Sequence, residues 1–262
     1  MLRQDFTYHN HTFRCRHALG SDEDYIQAAI EAGYKVFGFA DHIPIDIETV
    51  SHNKRMYENQ LPEYIDTING LKEKYKGIID IKLGIEADYY GGCDEIIERV
   101  SKQMEYTILS VHGSSLENPF HFAHPKTDED ILLYGQIIED LLPKGNWLYL
   151  AHPDYYLRRT PDFTLACEET AHRIAQAAVK NNTILEINLS GTYGEKSTYK
   201  QGDYFFCPNR LFWQIAAQYP IKVVYGLDAH NPDQVRNIQA YDIAGLELDD
   251  LGLNFVDKPF QF

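Results

Sequence analysis

The sequence predicts an α/β protein whose parallel strands close into a barrel, and three observations lead there. Seven short apolar runs alternate with segments of helical period, no low-complexity tract or linker divides the 262 residues, and the polar residues of the runs fall at their C-terminal ends. Strands alternating with helices imply a parallel sheet. Without the switch pattern of a doubly wound sheet, closure into a ring is the expected arrangement. The length suits one large α/β domain, and a single domain over residues 1–262 is expected.

The runs are "FTYH" (6–9), "VFGFA" (36–40), "IDIKLGIEA" (79–87), "YTILSVH" (106–112), "WLYLAH" (147–152), "ILEINLS" (184–190) and "IKVVYGLDAH" (221–230). Helices are expected near 22–33, 60–76, 93–103, 128–142, 164–181 and 208–219, with a shorter one near 233–240. "SDEDYIQAAIEAGY" illustrates the punctuation, with an acidic first turn and Gly33 at the exit.

Composition narrows the function classes. Net charge is −15, from 24 basic and 39 acidic residues. That disfavours nucleic acid or an anionic membrane as partner, because both require neutralisation of phosphate by Lys and Arg. No run approaches the roughly 18 apolar residues of a membrane span, and the N-terminal residues lack a signal pattern. The four cysteines, Cys15, Cys93, Cys167 and Cys207, have no C-x-x-C spacing and read as reduced thiols. A cytoplasmic protein is therefore expected.

The chemistry lies in what ends the runs. His9 and His11 end the first, Asp41 and His42 the second, Glu86 the third, His112 the fourth and His152 the fifth. Glu186 and Asn188 lie in the sixth, and Asp228 and His230 close the seventh. With His17, seven of the 11 histidines stand at or just beyond a strand's C-terminal end. In a β/α barrel those ends converge on one face. Side chains alternate along a strand, so both rings of H-x-H face the same way. Imidazole and carboxylate are the usual ligands of Zn²⁺, Mn²⁺ and Fe²⁺. Seven rings and two carboxylates exceed the needs of one ion, and a multinuclear centre is expected.

The ordered set "HNHT", "ADH", "GIEAD", "SVHGS", "AHPD", "EIN" and "GLDAH" resembles the polymerase and histidinol phosphatase (PHP) superfamily, from residue 9 to about 236. The resemblance implies a distorted seven-stranded (β/α)7 barrel, a single metallophosphoesterase domain, and three divalent transition-metal ions, Zn, Mn or Fe. Residue by residue, it implies a first ion on His9, His11, Glu86 and Asp228. Glu86 then bridges to a second ion on His112 and His152, and His17, His42 and His230 hold the third. Cys15 is expected as a packed thiol beside His17, and Asp41 as a partner orienting a histidine ring. His121 and His124 are expected in a loop over the barrel mouth, and His52 and His172 in solvent. The pair at 89–90 either walls the pocket or packs between helices.

Such a centre implies hydrolysis of a small phosphate monoester by direct attack of activated water, and no Ser, Cys or Asp nucleophile motif stands out. Within the superfamily, "CRHALGSDEDYIQAAIEAGY", "GIEADYY", "AHPD" and "EINLSG" resemble the histidinol-phosphate phosphatases, which implies L-histidinol phosphate as the substrate. "RCRHALG" departs from their Cys-Pro-His-Gly turn, and "GTYGEKSTY" from their arginine-bearing segment. Glu86, Asp228, His42 and Asp154 are the expected catalytic residues, Asp154 as the acid. Arg158 and Arg159 of "DYYLRR", with Arg16, are the expected substrate-binding residues, since a guanidinium grips phosphate through parallel hydrogen bonds. One of the adjacent pair is expected to face the substrate and the other solvent; a surface ion pair with Asp162 or Glu168 is the competing role. Three other readings stay open: a phosphoesterase of the same superfamily acting on a nucleotide, sugar phosphate or phosphoprotein, an amidohydrolase-type deaminase, and a non-catalytic metal-binding protein.

Overall fold

Residues 3–46, 54–160 and 162–262 are described by the structure, a computed structural model. The first half builds a four-stranded parallel sheet in chain order from β1 (Phe6–Thr7), β2 (Val36–His42), β3 (Asp80–Tyr89) and β4 (Tyr106–Val111). Helices α1 (Asp22–Ala32), α2 (Leu61–Lys74) and α3 (Asp94–Ser101) connect these strands. The expected caps form: Ser21 and Asp24 make a capping box on α1, and Gly33 ends it at φ 82°. Register is what matters for the site. Across β2 and β3, His42 stands opposite Glu86, and across β3 and β4, Asp88 stands opposite Ser110.

The second half is less regular. Helix α4 (Asp128–Leu141) leads to residues 147–152, expected as a full strand. There only Leu150 pairs, through parallel bridges to Leu109 of β4 and to Leu185. Helix α5 (Leu165–Asn181) precedes β5 (Leu185–Asn188), which is shorter than expected because Ser190–Tyr193 turns into a 3-10 helix. A hairpin, β6 (Ser197–Tyr199) and β7 (Gly202–Tyr204), follows where the sequence carried no strand signal. Then come α6 (Arg210–Ala216), β8 (Lys222–Gly226) and two helices, α7 (Pro232–Arg236) and α8 (Gln239–Leu248), in place of the single short one expected. Strand β9 (Asn254–Phe255) pairs with β8, which also pairs with β5. A bridge between Asn10 and Ala229 links the first strand's exit to that of β8.

Alternation along β2 and β4 separates two cores. Phe37, Phe39, Leu109 and Val111 pack with the helices, whereas Val36, Ala40, Tyr106 and Ile108 join Phe6, Tyr8 and Tyr149 on the other face. Gly84 makes room there, since a Cβ at that position would meet the Tyr106 ring at 2.2 Å. Phe260 and Phe262 close against this inner core, with ring centroids 5.3 and 5.7 Å from Tyr8. Among the described residues no helix is long and apolar enough to cross a membrane.

Candidate metal centre

The strand ends bring their polar residues together. His9 Nε2 lies 3.6 Å from both Glu86 Oε1 and Asp228 Oδ1, and His11 Nε2 lies 2.9 Å from Asp228 Oδ1. His152 Nε2 is 3.2 Å from Glu86 Oε1. His42 Nδ1 is 2.7 Å from Glu86 Oε2, and the His42 and His112 rings are 5.9 Å apart. The His17 ring is 4.5 Å from His230 and 5.4 Å from His42. Ligand atoms converge within 4.8 Å in several groups, including His9, His11 and Asp228; His9, Glu86 and His152; and His17, His42 and His230. All nine residues expected as ligands therefore fall in one cluster.

Its chemistry fits divalent cations. Nε2 of His9, Nδ1 of His11 and Nε2 of His230 are buried without a hydrogen bond, which is costly unless another partner satisfies them. Distances near 3.6 Å are too long for hydrogen bonds, but suit two atoms sharing one ion about 2 Å from each. Burial alone would raise the Glu86 carboxyl, but His42 and His9 hold it well below its ordinary range, and His9 and His11 do the same for Asp228. Burial, then the nearby His42, pushes the His17 imidazole down to about 3, keeping its lone pair available.

Supporting residues fix the rings. Glu186 Oε1 accepts from His9 Nδ1 at 2.8 Å, and Oε2 accepts the backbone N–H of His152 at 3.0 Å. Gly226 leaves room for that carboxylate: a Cβ there would meet Glu186 Oε1 at 1.8 Å. His152 and Asp228 adopt φ of 28° and 49°, a region that disfavours side chains with a Cβ. Asp41 faces His11 Nδ1 at 3.6 Å, beyond hydrogen-bond reach. It instead accepts from Thr12 Oγ1 and from the His42 N–H, so it secures the backbone at the site rather than a ring. Cys15 is fully buried, and its Sγ lies within 4.8 Å of ring nitrogens of His11 and His230.

The cluster floors a cavity of about 500 Å³. Arg158 and Arg159 both line it, together with Lys54, Arg55, His124, Tyr155 and Phe206. Both arginines follow the 3-10 turn Tyr155–Leu157 and are exposed at the cavity mouth. Neither arginine pairs with a carboxylate among the described residues; Asp162 binds Lys200 and Glu168 faces His172. Two other residues stand elsewhere than expected. Asp154 is fully buried, is not among the residues bordering the cavity, and accepts the Asn209 N–H at 2.7 Å. Arg16 also lies outside the wall, with its guanidinium 3.5 Å above the Tyr57 ring.

His121 is held by Asp130 and Ser114, while His124 borders the cavity. His172 is not simply solvated, since its Nδ1 is 2.7 Å from the Tyr219 hydroxyl. His52 lies outside the described residues. Tyr90 is buried and receives a hydrogen bond from Arg55. Two residues without a predicted role also meet at the site, Asp88 and Arg55. Asp88 carried a signal, two residues from Glu86 on the same strand face; Arg55, in a loop, carried none.

The PHP domain model matches residues 7–190, and the chain belongs to that family. Over 238 residues it is 39% identical to a protein of Deinococcus radiodurans named probable histidinol-phosphatase, covering 87% of this chain and 86% of that one. Among solved structures, the histidinol phosphate phosphatase of Lactococcus lactis, complexed with zinc, L-histidinol and phosphate, superposes with a TM-score of 0.73. It is 19% identical, over 96% of this chain and 95% of that one. A chain from the metal-dependent tyrosine phosphatases of Bacillus subtilis and Streptococcus pneumoniae gives a TM-score of 0.54 at 17% identity, over 93% of this chain and 87% of that one.

Proposed function

We propose that this protein is a metal-dependent phosphatase that hydrolyses L-histidinol phosphate to L-histidinol and phosphate in histidine biosynthesis, in the cytoplasm. The observation that carries the reading is the meeting of nine histidine and carboxylate side chains in one cluster, seven of which border the cavity that Arg158 and Arg159 also line. The likeness to the Deinococcus protein supports the substrate. On this reading the ring of strands, with Leu150 standing for the fifth, is a distorted seven-stranded barrel.

His9, His11, Glu86 and Asp228 would hold one ion, Glu86 with His112 and His152 a second, and His17, His42 and His230 a third. Bound zinc, manganese or iron would supply positive charge for the phosphoryl oxygens and activate water. The chain's own part is orientation. Glu186 fixes the His9 ring and the His152 backbone, so that both ligands meet Glu86. Arg158 and Arg159 grip the phosphate from the opposite wall. Two arginines in this loop offset the segment "GTYGEKSTY", whose Lys196 is engaged by Glu247. The hairpin steadies the arginine loop, because the Tyr199 hydroxyl donates to the Leu157 carbonyl at 2.7 Å. With Asp154 buried away from the cavity wall, protonation of the leaving alkoxide is assigned to a group that borders the cavity.

Elemental analysis of the purified protein, coupled to hydrolysis of a panel of phosphate esters, tests the reading. The expected result is about three divalent ions per chain and preference for histidinol phosphate. Preference for phosphotyrosine or a nucleotide would overturn the substrate and leave the centre standing.

A further inference from the structure

Asp88 is a fully buried carboxylate whose hydrogen-bonding capacity is full. Its Oδ2 accepts from His42 Nδ1 at 2.8 Å, a nitrogen that also lies 2.7 Å from Glu86 Oε2, and from Arg55 Nη1 at 2.7 Å, and its Oδ1 accepts from Ser110 Oγ at 3.0 Å and from His112 Nδ1. An ionised carboxylate has about four lone-pair sites, so these four donors leave none for a cation, although Asp88 lies among groups able to hold one. Their effect on the two rings is specific. A proton held on Nδ1 leaves the lone pair on Nε2, which fixes both tautomer and orientation for ligation.

We infer that Asp88 is a positioning residue that couples two ions by orienting one ligand of each, His42 and His112, and that Arg55 holds Asp88 in place. This rests on the ligand assignment of the proposed function. Strand register produces the arrangement, because Asp88 on β3 is flanked by Ser110 on β4 and lies two residues from Glu86, the partner of His42. Arg55 comes from outside the sheet, is itself buried, borders the cavity, and is anchored a second time on the Tyr90 hydroxyl. A buried ion pair contributes little net stability, so a role in arranging ligands accounts for it better than a role in folding.

The test is zinc titration against a chelating dye, together with nitrogen-15 NMR of the histidine rings in the zinc-loaded protein. In the wild type, His42 and His112 are expected as Nδ1–H tautomers; finding either ring protonated on Nε2 overturns the inference without any variant. Asp88→Asn should weaken two zinc equivalents together, each by about ten- to a hundredfold, and disturb both ring signals. Arg55→Met should weaken the same two equivalents less, with Arg55→Lys restoring part of the loss. Wild-type affinity in Asp88→Asn overturns the proposal, as does complete loss of one equivalent alone, which would make Asp88 a ligand. His42→Ala and His112→Ala serve as references, each expected to lose one equivalent; retention of all zinc in both would instead refute the ligand assignment.

Discussion

The two halves of the molecule bring their polar residues to the candidate centre by different means. In β1 to β4, hydrogen-bonded register places them: His42 and Glu86 are opposed partners, and each side chain emerges from ordinary extended backbone. From residue 147 onward the strands are short, one is a single bridge, and His152 and Asp228 reach the centre from left-handed backbone. Regular pairing positions a side chain with no local strain. Where pairing ends early, position depends on individual hydrogen bonds, above all those of Glu186, and on the room that Gly226 leaves.

Substitutions can break or sharpen that contrast. The largest effect is expected from Glu86→Ala in the regular half. Removing the shared carboxylate forfeits several kcal/mol of charge stabilisation, or roughly a thousandfold in kcat/KM, while circular dichroism remains that of the folded protein. Full metal content and turnover would refute the bridging role. Glu186→Gln in the irregular half touches no predicted ligand site directly, yet should reduce zinc affinity by about ten- to a hundredfold. An unchanged titration would show that His9 and His152 hold their positions unaided.

Arg158→Ala and Arg159→Ala, measured separately with metal fully loaded, should each lower kcat/KM by about ten- to a hundredfold, the worth of a charged hydrogen bond of about 1.5–3 kcal/mol. If one alone responds, the other merely borders the mouth. Asp154→Asn should change kcat/KM by less than about threefold, because no catalytic group is removed. Its signature is in stability. Burial raises the Asp154 carboxyl to about 7, against the opposing hydrogen bond from Asn209. Its unfolded form ionises first, so the stability it contributes is complete below the ordinary carboxylate range and is lost as pH rises towards 7. Denaturant titrations of wild type and variant between pH 4 and 8 should show a shallower decline in the variant; parallel curves would contradict the burial.

The clustering of the residues proposed as metal ligands was legible because they share one sign, a histidine or carboxylate at or just beyond the end of an apolar run, and because the order of the motifs matches a family. The first four strands were legible for the same reason. What was hidden depends on long-range placement. Asp154 follows His152 and Pro153 closely, and nothing local reveals that the chain turns it inward against α6. Arg55 lies outside every strand and helix, and only the folded chain brings it to Asp88, 33 positions later. The fifth strand kept a strand's composition but pairs at a single residue, since Leu150 must serve both β4 and β5 within a short extended segment. The hairpin at 197–204 is polar on both strands and carries no alternation to betray it.

The inner core around Tyr8 bears on how the molecule comes into being. Tyr8 accepts the N–H of Phe260 at 3.0 Å, and His11 meets Asp228, so the first strand is completed by residues more than two hundred positions later. Contacts of such sequence separation form slowly, and during synthesis the early strands emerge long before their partners. A cation captured before residue 228 has left the ribosome would meet only part of the proposed ligand set. The cluster of histidines and carboxylates is therefore complete only late in synthesis.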